Sequence, residues 1–95
     1  MTSLKVIVAD DHALMRSAVR SALERADGLE IVGEAETGHG VLALARSTEA
    51  DVVLLDIRMP GTDGFQCLDV LRQRHPDLKV VMFTALDDPA TISKA

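Results

Sequence analysis

Short apolar runs recur along the chain at intervals that suit strands. Leu4–Ala9 (LKVIVA) is a β-branched run interrupted only by Lys5, which is typical of a strand covered on both faces. Residues 52–55 (VVLL) and Lys79–Phe83 (KVVMF) have the same character and predict two further strands of this kind. Leu29–Ala35 (LEIVGEA) alternates apolar with polar or glycine positions, so it predicts a strand nearer the edge of a sheet.

The segments between these runs have the spacing of amphipathic helices. After the first strand, apolar residues recur every three or four positions, at Met15, Ala18, Val19, Ala22, Leu23 and Ala26. The Asp27-Gly28 pair is expected to end this helix. Thr37 is expected to cap a second helix, whose apolar side chains would pack on the sheet.

A third helix is predicted before the last strand. The side chains expected to face the core from it are Phe65, Cys67, Leu68 and Leu71. We expect it to stop at His75-Pro76, because a proline disfavours helical backbone in the residue before it. Asp88-Pro89 then predicts the start of a fourth helix, with a cap followed by a proline in the first helical position.

The alternation of strands and helices predicts an α/β fold with a parallel sheet. A length of 95 residues allows one domain at most, and a hydrophobic content of 47% is enough for one core. In sheets of this type, binding sites lie beyond the carboxyl ends of the strands. The residues at those ends are therefore the candidates for function.

Charge and composition exclude several classes of function. The net charge is −5 and basic residues are not clustered, which argues against direct binding of nucleic acid and suits cations instead. Cys67 is the only cysteine, so no intramolecular disulfide is possible and a reducing compartment is expected. We find neither a secretory signal nor an apolar run long enough to span a bilayer, and we expect a cytoplasmic protein without a membrane partner.

Acidic residues follow two of the buried-type strands. Asp10 and Asp11 follow the first strand, Asp56 ends the third, and Thr84 follows the fourth. If these three strands are neighbours, three carboxylates and a hydroxyl converge at one edge of the sheet. Carboxylates this close repel one another, and a hard divalent cation such as Mg²⁺, which prefers oxygen ligands, would relieve the repulsion.

These spaced motifs resemble the receiver domains of two-component response regulators. The matching elements are Asp10-Asp11, the run DIRMPGTDG that begins at Asp56, and Thr84-Ala85. Asp11-His12 and the DIRMPGTDG run look most like the branch that usually carries a C-terminal helix-turn-helix of the LuxR type. The resemblance covers residues 1–95 and implies a flavodoxin-like, doubly wound parallel sheet with strand order 2-1-3-4.

The resemblance also implies a role for each residue of the motifs. Asp56 would be the phosphoacceptor, attacking a phosphoryl group to form an acyl phosphate. Mg²⁺ would be held by Asp11, by Asp56 and by the backbone carbonyl of Arg58, with Asp10 acting through water. Thr84 and Ala85 would contact the phosphoryl group and form the switch.

One part of the family pattern has no counterpart in this sequence. The family carries a lysine and an aromatic switch residue on a fifth strand, and Lys94 falls in the predicted fourth helix, so it is not that lysine. We therefore expect a receiver domain without its fifth strand and fifth helix, either as a fragment or as a naturally short form.

The resemblance implies a signalling domain and not a turnover enzyme. A sensor histidine kinase would donate the phosphoryl group, and the output would be transcription, with DNA bound only by a C-terminal domain outside this sequence. Strand four or the C-terminal segment could mediate a homodimer, because an apolar edge strand templates association.

Three other functions remain as alternatives. A receiver without its switch could act as a module for dimerisation or for sequestering a kinase. A phosphatase of the haloacid dehalogenase type would need Asp-x-Asp at the nucleophile, where this chain has Arg58. A flavodoxin-like FMN site needs a phosphate-binding loop after strand one, where Asp10 and Asp11 would repel a phosphate.

His12 is expected at the rim of the candidate site, in the first turn of helix one, with at most an indirect effect on the chemistry there.

Overall fold

The computed structural model describes residues 3–59 and 64–83, which form a parallel sheet flanked by helices. The strands are β1 (Leu4–Ala9), β2 (Leu29–Ala35), β3 (Val52–Asp56) and β4 (Lys79–Phe83). The helices are α1 (Ala13–Glu24), α2 (Gly38–Ser47) and α3 (Gly64–Arg74). The strands lie in the order β2-β1-β3-β4, and each neighbouring pair is parallel. The predicted class and strand order are confirmed for these residues.

One face of the sheet carries most of the core. Because side chains alternate between the faces of a strand, the odd-numbered residues of β1 and β3 share a face. They pack in one cluster with side chains of α2 and α3, and its buried members are Ile7, Ala9, Ala35, Val41, Ala45, Val53, Leu55, Met59, Cys67 and Leu71. This cluster fixes β1 and β3 side by side, and so fixes the residues at their carboxyl ends.

The opposite face is covered over only part of its width. Val6 and Val8 of β1 are buried there, and α1 lies against β1 and β2. None of the side chains of α1 is itself buried. On the same face, Val81 of β4 is 51% exposed. Within the described residues, α1 therefore shields one half of this face and leaves the β4 side open.

Several local predictions are confirmed and two are wrong. The Thr37 side chain accepts a hydrogen bond from the Gly40 N–H at 3.1 Å, which caps α2 as expected. Helix α3 ends just before His75-Pro76, and its Cys67 is buried. Phe65, predicted to face the core, is 62% exposed, because the buried stripe of α3 begins at the residue before it. The first helix ends at Glu24, so Ala26 lies beyond it.

A glycine sets how closely α3 approaches the end of β3. A Cβ atom at Gly64 would lie 2.9 Å from the Cα atom of Ile57, which is closer than real Cβ atoms come to backbone. A larger residue would push the first turn of α3 away from the turn that follows Asp56.

No described helix is long and apolar enough to cross a membrane.

Candidate functional site

The carboxyl ends of β1 and β3 bring four polar side chains together. Ala9 pairs with Leu55, so the residues that follow, Asp10 and Asp56, emerge beside each other. Together with Asp11 and His12 they each offer a ligand atom, and these four atoms all lie within 4.8 Å of one another. The structure thus brings together the three acids that the argument from strand ends selects.

Two of these carboxylates are completely buried, yet each is only half satisfied. Asp10 and Asp56 are 0% exposed. Asp10 Oδ1 accepts the His12 N–H at 2.9 Å, and Asp56 Oδ1 accepts the Arg58 N–H at 2.9 Å. No described residue donates a hydrogen bond to Asp10 Oδ2 or Asp56 Oδ2, although both atoms are buried. An unsatisfied buried acceptor costs about 1–3 kcal/mol, so the fold bears a cost here that a ligand can remove.

The surroundings of Asp56 disfavour its ionised form. Burial is the main cause that raises the pKa of Asp56 above its ordinary value of 3.8, and the hydrogen bond from the Arg58 N–H opposes this rise. The nearby charges of Asp10 and Asp11 raise the pKa of Asp56 further. A cation next to the cluster would reverse these effects and favour the carboxylate.

His12 takes a more central position than the sequence indicated. It is the N-cap residue of α1. Its ring Nδ1 atom lies 3.0 Å from Asp10 Oδ1 and 3.0 Å from Asp11 Oδ1. The only feature of the sequence that points to this contact is that His12 directly follows the two acids.

Arg16 also belongs to the site, although the sequence marked it only as a polar position of the first helix. Its side chain is 14% exposed and donates to the main-chain carbonyl of Asp10 at 2.7 Å. Its guanidinium lies 3.1 Å from Glu36 and 3.6 Å from Glu34, both on the β2 side. Arg16 thereby links α1, the end of β1 and the end of β2, and holds the backbone that carries Asp10.

Other predicted site residues are not tested by this geometry. The N–H of Arg58 contacts Asp56, whereas the metal-binding role of its carbonyl stays a prediction. Thr84 and Ala85 lie outside the described residues, as do Lys94 and the predicted helix that starts at Asp88-Pro89.

Comparison with known proteins identifies the family. Residues 6–95 match the family model described as the response regulator receiver domain. The chain belongs to this family. The flavodoxin-like receiver fold inferred from the motifs is confirmed, and the domain is a signalling module of two-component systems.

Relatives of this receiver domain are response regulators. The chain is 41% identical over 85 residues to the response regulator GacA of Pseudomonas syringae pv. syringae, covering 90% of this chain and 40% of that protein. It is 39% identical over 92 residues to the probable transcriptional regulatory protein NarL of Mycobacterium tuberculosis, covering 97% and 43%. This receiver domain therefore spans about two fifths of the length of these curated relatives.

A solved receiver domain has the same fold. The isolated REC domain of RcsB from Salmonella enterica serovar Typhimurium, determined in the presence of the phosphomimetic BeF3⁻, superimposes with a TM-score of 0.83 at 28% identity. The match covers 97% of this chain and 69% of that one.

Proposed function

We propose that this receiver domain accepts a phosphoryl group on Asp56 in a Mg²⁺-dependent reaction. The observation that carries the proposal is the state of the Asp56 carboxylate. It is fully buried at the end of β3, with Oδ1 fixed by a backbone N–H and Oδ2 without a hydrogen bond from any described residue. Beside it stand two more carboxylates, Asp10 and Asp11.

The reaction transfers phosphorus from a donor to a carboxylate oxygen. Asp56 Oδ2 attacks the phosphorus atom, a new O–P bond forms, and the bond to the leaving group breaks. When the donor is a kinase phosphohistidine, the N–P bond breaks and the released imidazole takes up a proton. When the donor is acetyl phosphate, acetate leaves. The domain is itself the acceptor, so this chemistry is that of a switch and not of a turnover enzyme.

The donor set of the cluster fits a hard divalent cation. Two buried carboxylate oxygens, Asp10 Oδ2 and Asp56 Oδ2, accept no hydrogen bond within the described part of the chain, and carboxylate oxygen is the ligand type that Mg²⁺ prefers. Asp11, Asp56 and the Arg58 carbonyl would hold the ion directly, and Asp10 would hold it through water. The bound ion supplies charge neutralisation for the transferring phosphoryl group. Thr84 and Ala85 would contact the phosphoryl group once it is attached.

The relatives suggest the partners of this domain. A regulator such as NarL is named for transcription, and the RcsB domain was studied with a phosphomimetic. We propose that this domain is cytoplasmic, that a sensor histidine kinase is its phosphoryl donor, and that its output is transcription through a C-terminal DNA-binding domain. With its net charge of −5, the receiver domain itself would not bind DNA directly.

Self-association through β4 is a separate part of the proposal. This strand ends the described sheet, and its Val81 side chain is 51% exposed. Pairing with a second copy would bury this apolar surface. Sedimentation of the chain at micromolar concentration should show a dimer that Val81→Lys disrupts, whereas a monomer in both proteins would contradict this part.

Labelling with acetyl phosphate tests the phosphoacceptor. We expect one phosphoryl group per chain by intact mass spectrometry in the presence of Mg²⁺, and none when EDTA is present. Asp56→Asn should abolish the label. Asp51→Asn is the matched control, because it makes the same change at the other end of β3, and it should label like the wild type. Labelling that persists in Asp56→Asn, or that is absent from the wild type, would overturn the proposal.

A further inference from the structure

We propose that His12 is a metal ligand whose Nδ1 atom joins the carboxylates around the divalent ion. A nitrogen donor would make this site favour first-row transition ions, such as Mn²⁺ or Co²⁺, over Mg²⁺. The inference rests on the metal site proposed above and concerns the identity of its ligands and of its preferred ion.

The position of the imidazole is held from two sides. The His12 main-chain N–H donates to Asp10 Oδ1 at 2.9 Å, which fixes the backbone from which the ring extends. The ring Nδ1 atom lies 3.0 Å from that same oxygen and 3.0 Å from Asp11 Oδ1. A side chain that is 51% exposed thus directs one ring nitrogen at two carboxylates, one of which is completely buried.

These spacings are those of donors that share one ion. In an octahedral site with metal–ligand distances of about 2.1 Å, adjacent donors lie about 3.0 Å apart and opposite donors about 4.2 Å apart. The Nδ1 atom lies at the adjacent spacing from Asp11 Oδ1, a direct ligand of the proposed site, and the four ligand atoms of the cluster lie within 4.8 Å of one another, a limit about 0.6 Å above the opposite spacing. Without an ion, a proton on Nδ1 accounts for the same distances, and a bound cation would take the place of that proton.

The cluster differs from an ordinary acidic patch. Asp10 Oδ2 and Asp56 Oδ2 belong to side chains that are 0% exposed, and no described residue donates a hydrogen bond to either atom. Asp56 would supply an oxygen ligand directly and Asp10 would act through water, while His12 would supply the nitrogen. Imidazole suits transition metals, whereas Mg²⁺ prefers oxygen throughout its coordination shell. The mixed set therefore selects for a transition ion that tolerates both donor types.

A substitution that removes the imidazole but keeps a hydrogen-bond donor shows whether His12 binds the metal ion or only positions the neighbouring acids. His12→Asn retains an N–H donor and a favourable N-cap residue. The matched control is His39→Asn, since His39 is an exposed histidine of α2 outside the cluster. By calorimetric titration of the full chain, His12→Asn should weaken Co²⁺ binding about tenfold or more and change Mg²⁺ binding by less than about twofold. His39→Asn should change neither.

A spectroscopic measurement tests ligation directly. Mn²⁺ bound to the wild-type chain should show nitrogen hyperfine coupling in pulsed electron paramagnetic resonance, and so should Mn²⁺ bound to His39→Asn. The coupling should be lost in His12→Asn. Absence of nitrogen coupling in the wild type, or an equal loss of Mg²⁺ and Co²⁺ affinity in His12→Asn, would overturn the inference and leave His12 as a positioning residue. If the wild type binds none of these ions, the metal site itself is wrong.

Discussion

The two ends of β3 carry the same kind of side chain in opposite states. Asp51 stands before the strand and is exposed; its Oδ2 atom accepts the Lys5 N–H at 2.8 Å. Its main chain also bonds to Lys5 at 2.7 Å and to Lys79 at 3.1 Å. Asp56 ends the strand, is 0% exposed, and has an oxygen that accepts no hydrogen bond from a described residue. The Asp51 carboxylate has a backbone partner in β1, while the Asp56 carboxylate keeps one oxygen unsatisfied at a cost in stability.

The two ends also differ in shape, because the cavity described next lies away from the carboxylate cluster. A cavity of about 330 Å³ lies at the Asp51 end, lined in part by Thr48, Arg74 and His75. The Asp51 carboxylate there accepts a hydrogen bond from the backbone. The unsatisfied acceptors lie at the opposite end of the sheet, at the candidate site, so here the unsatisfied acceptors and this hollow mark different ends.

The largest expected effect that separates the two ends is stabilisation by Mg²⁺. Because only the folded chain assembles Asp11 and Asp56, Mg²⁺ at a hundredfold excess over Kd should add about 2.7 kcal/mol to the free energy of unfolding, a rise in Tm of about 10 °C or more. Thermal melts with and without Mg²⁺ measure this shift. Asp11→Asn should lose most of it and Asp51→Asn should keep it. Equal shifts in the two variants would remove the distinction between the ends.

The next effect concerns how the Asp56 carboxylate changes the free energy of unfolding when no metal is bound. In EDTA at neutral pH, Asp56→Asn should raise the free energy of unfolding by about 2 kcal/mol, because it removes a buried charge whose second oxygen has no hydrogen bond. Urea unfolding of both proteins measures the difference. A less stable variant would mean that the wild-type carboxylate is satisfied in solution.

The difference in stability between the wild type and Asp56→Asn should depend on pH. The pKa of Asp56 is raised in the folded protein, so the folded state retains this proton where the unfolded chain has lost it. Wild-type stability should therefore fall relative to Asp56→Asn as pH rises from about 3.8 through the folded-state pKa, and the difference should stay constant above it. Below the unfolded-state value the carboxyl group is protonated in both states, and this contribution vanishes. A difference that is independent of pH would show that another contact is responsible.

A smaller effect is expected at the satisfied end. Asp51→Ala removes the acceptor for the Lys5 N–H and should lower the free energy of unfolding by about 1 kcal/mol, or Tm by about 5 °C. Asp51→Asn keeps an acceptor oxygen and should cost less. Thermal melts in EDTA compare the two variants. Destabilisation by Asp51→Ala that appears only when Mg²⁺ is present would place a metal ligand at the wrong end of β3.

The sequence predicts the larger features of this fold well. Strand ends are readable because a buried apolar run has to stop where a polar residue begins, as it does at Asp10 and at Asp56. Thr37 is readable as a cap because its bond to Gly40 is local. Once β1 and β3 are taken as neighbouring parallel strands, the acids at their carboxyl ends are predicted to lie at one edge of the sheet.

Features set by packing between distant segments are not readable in this way. Phe65 fits a helical pattern, but the stripe that is buried depends on which side of α3 meets the sheet and α2. The side chain of Arg16 reaches the carbonyl of Asp10 and two acids on the β2 side, contacts that require the assembled fold. The ring of His12 returns to the acids because of the backbone angles at the start of α1, which a residue pattern does not encode.

We propose that the carboxylates at the carboxyl ends of β1 and β3 form one site for both the cation and the phosphoryl group. A crystal structure of the chain with Mg²⁺ and beryllofluoride tests this most directly. We expect Mg²⁺ in contact with Asp11 and Asp56, and the fluoride complex attached to an Asp56 oxygen. An ion or fluoride complex bound at Asp51, with Asp56 left bare, would contradict it.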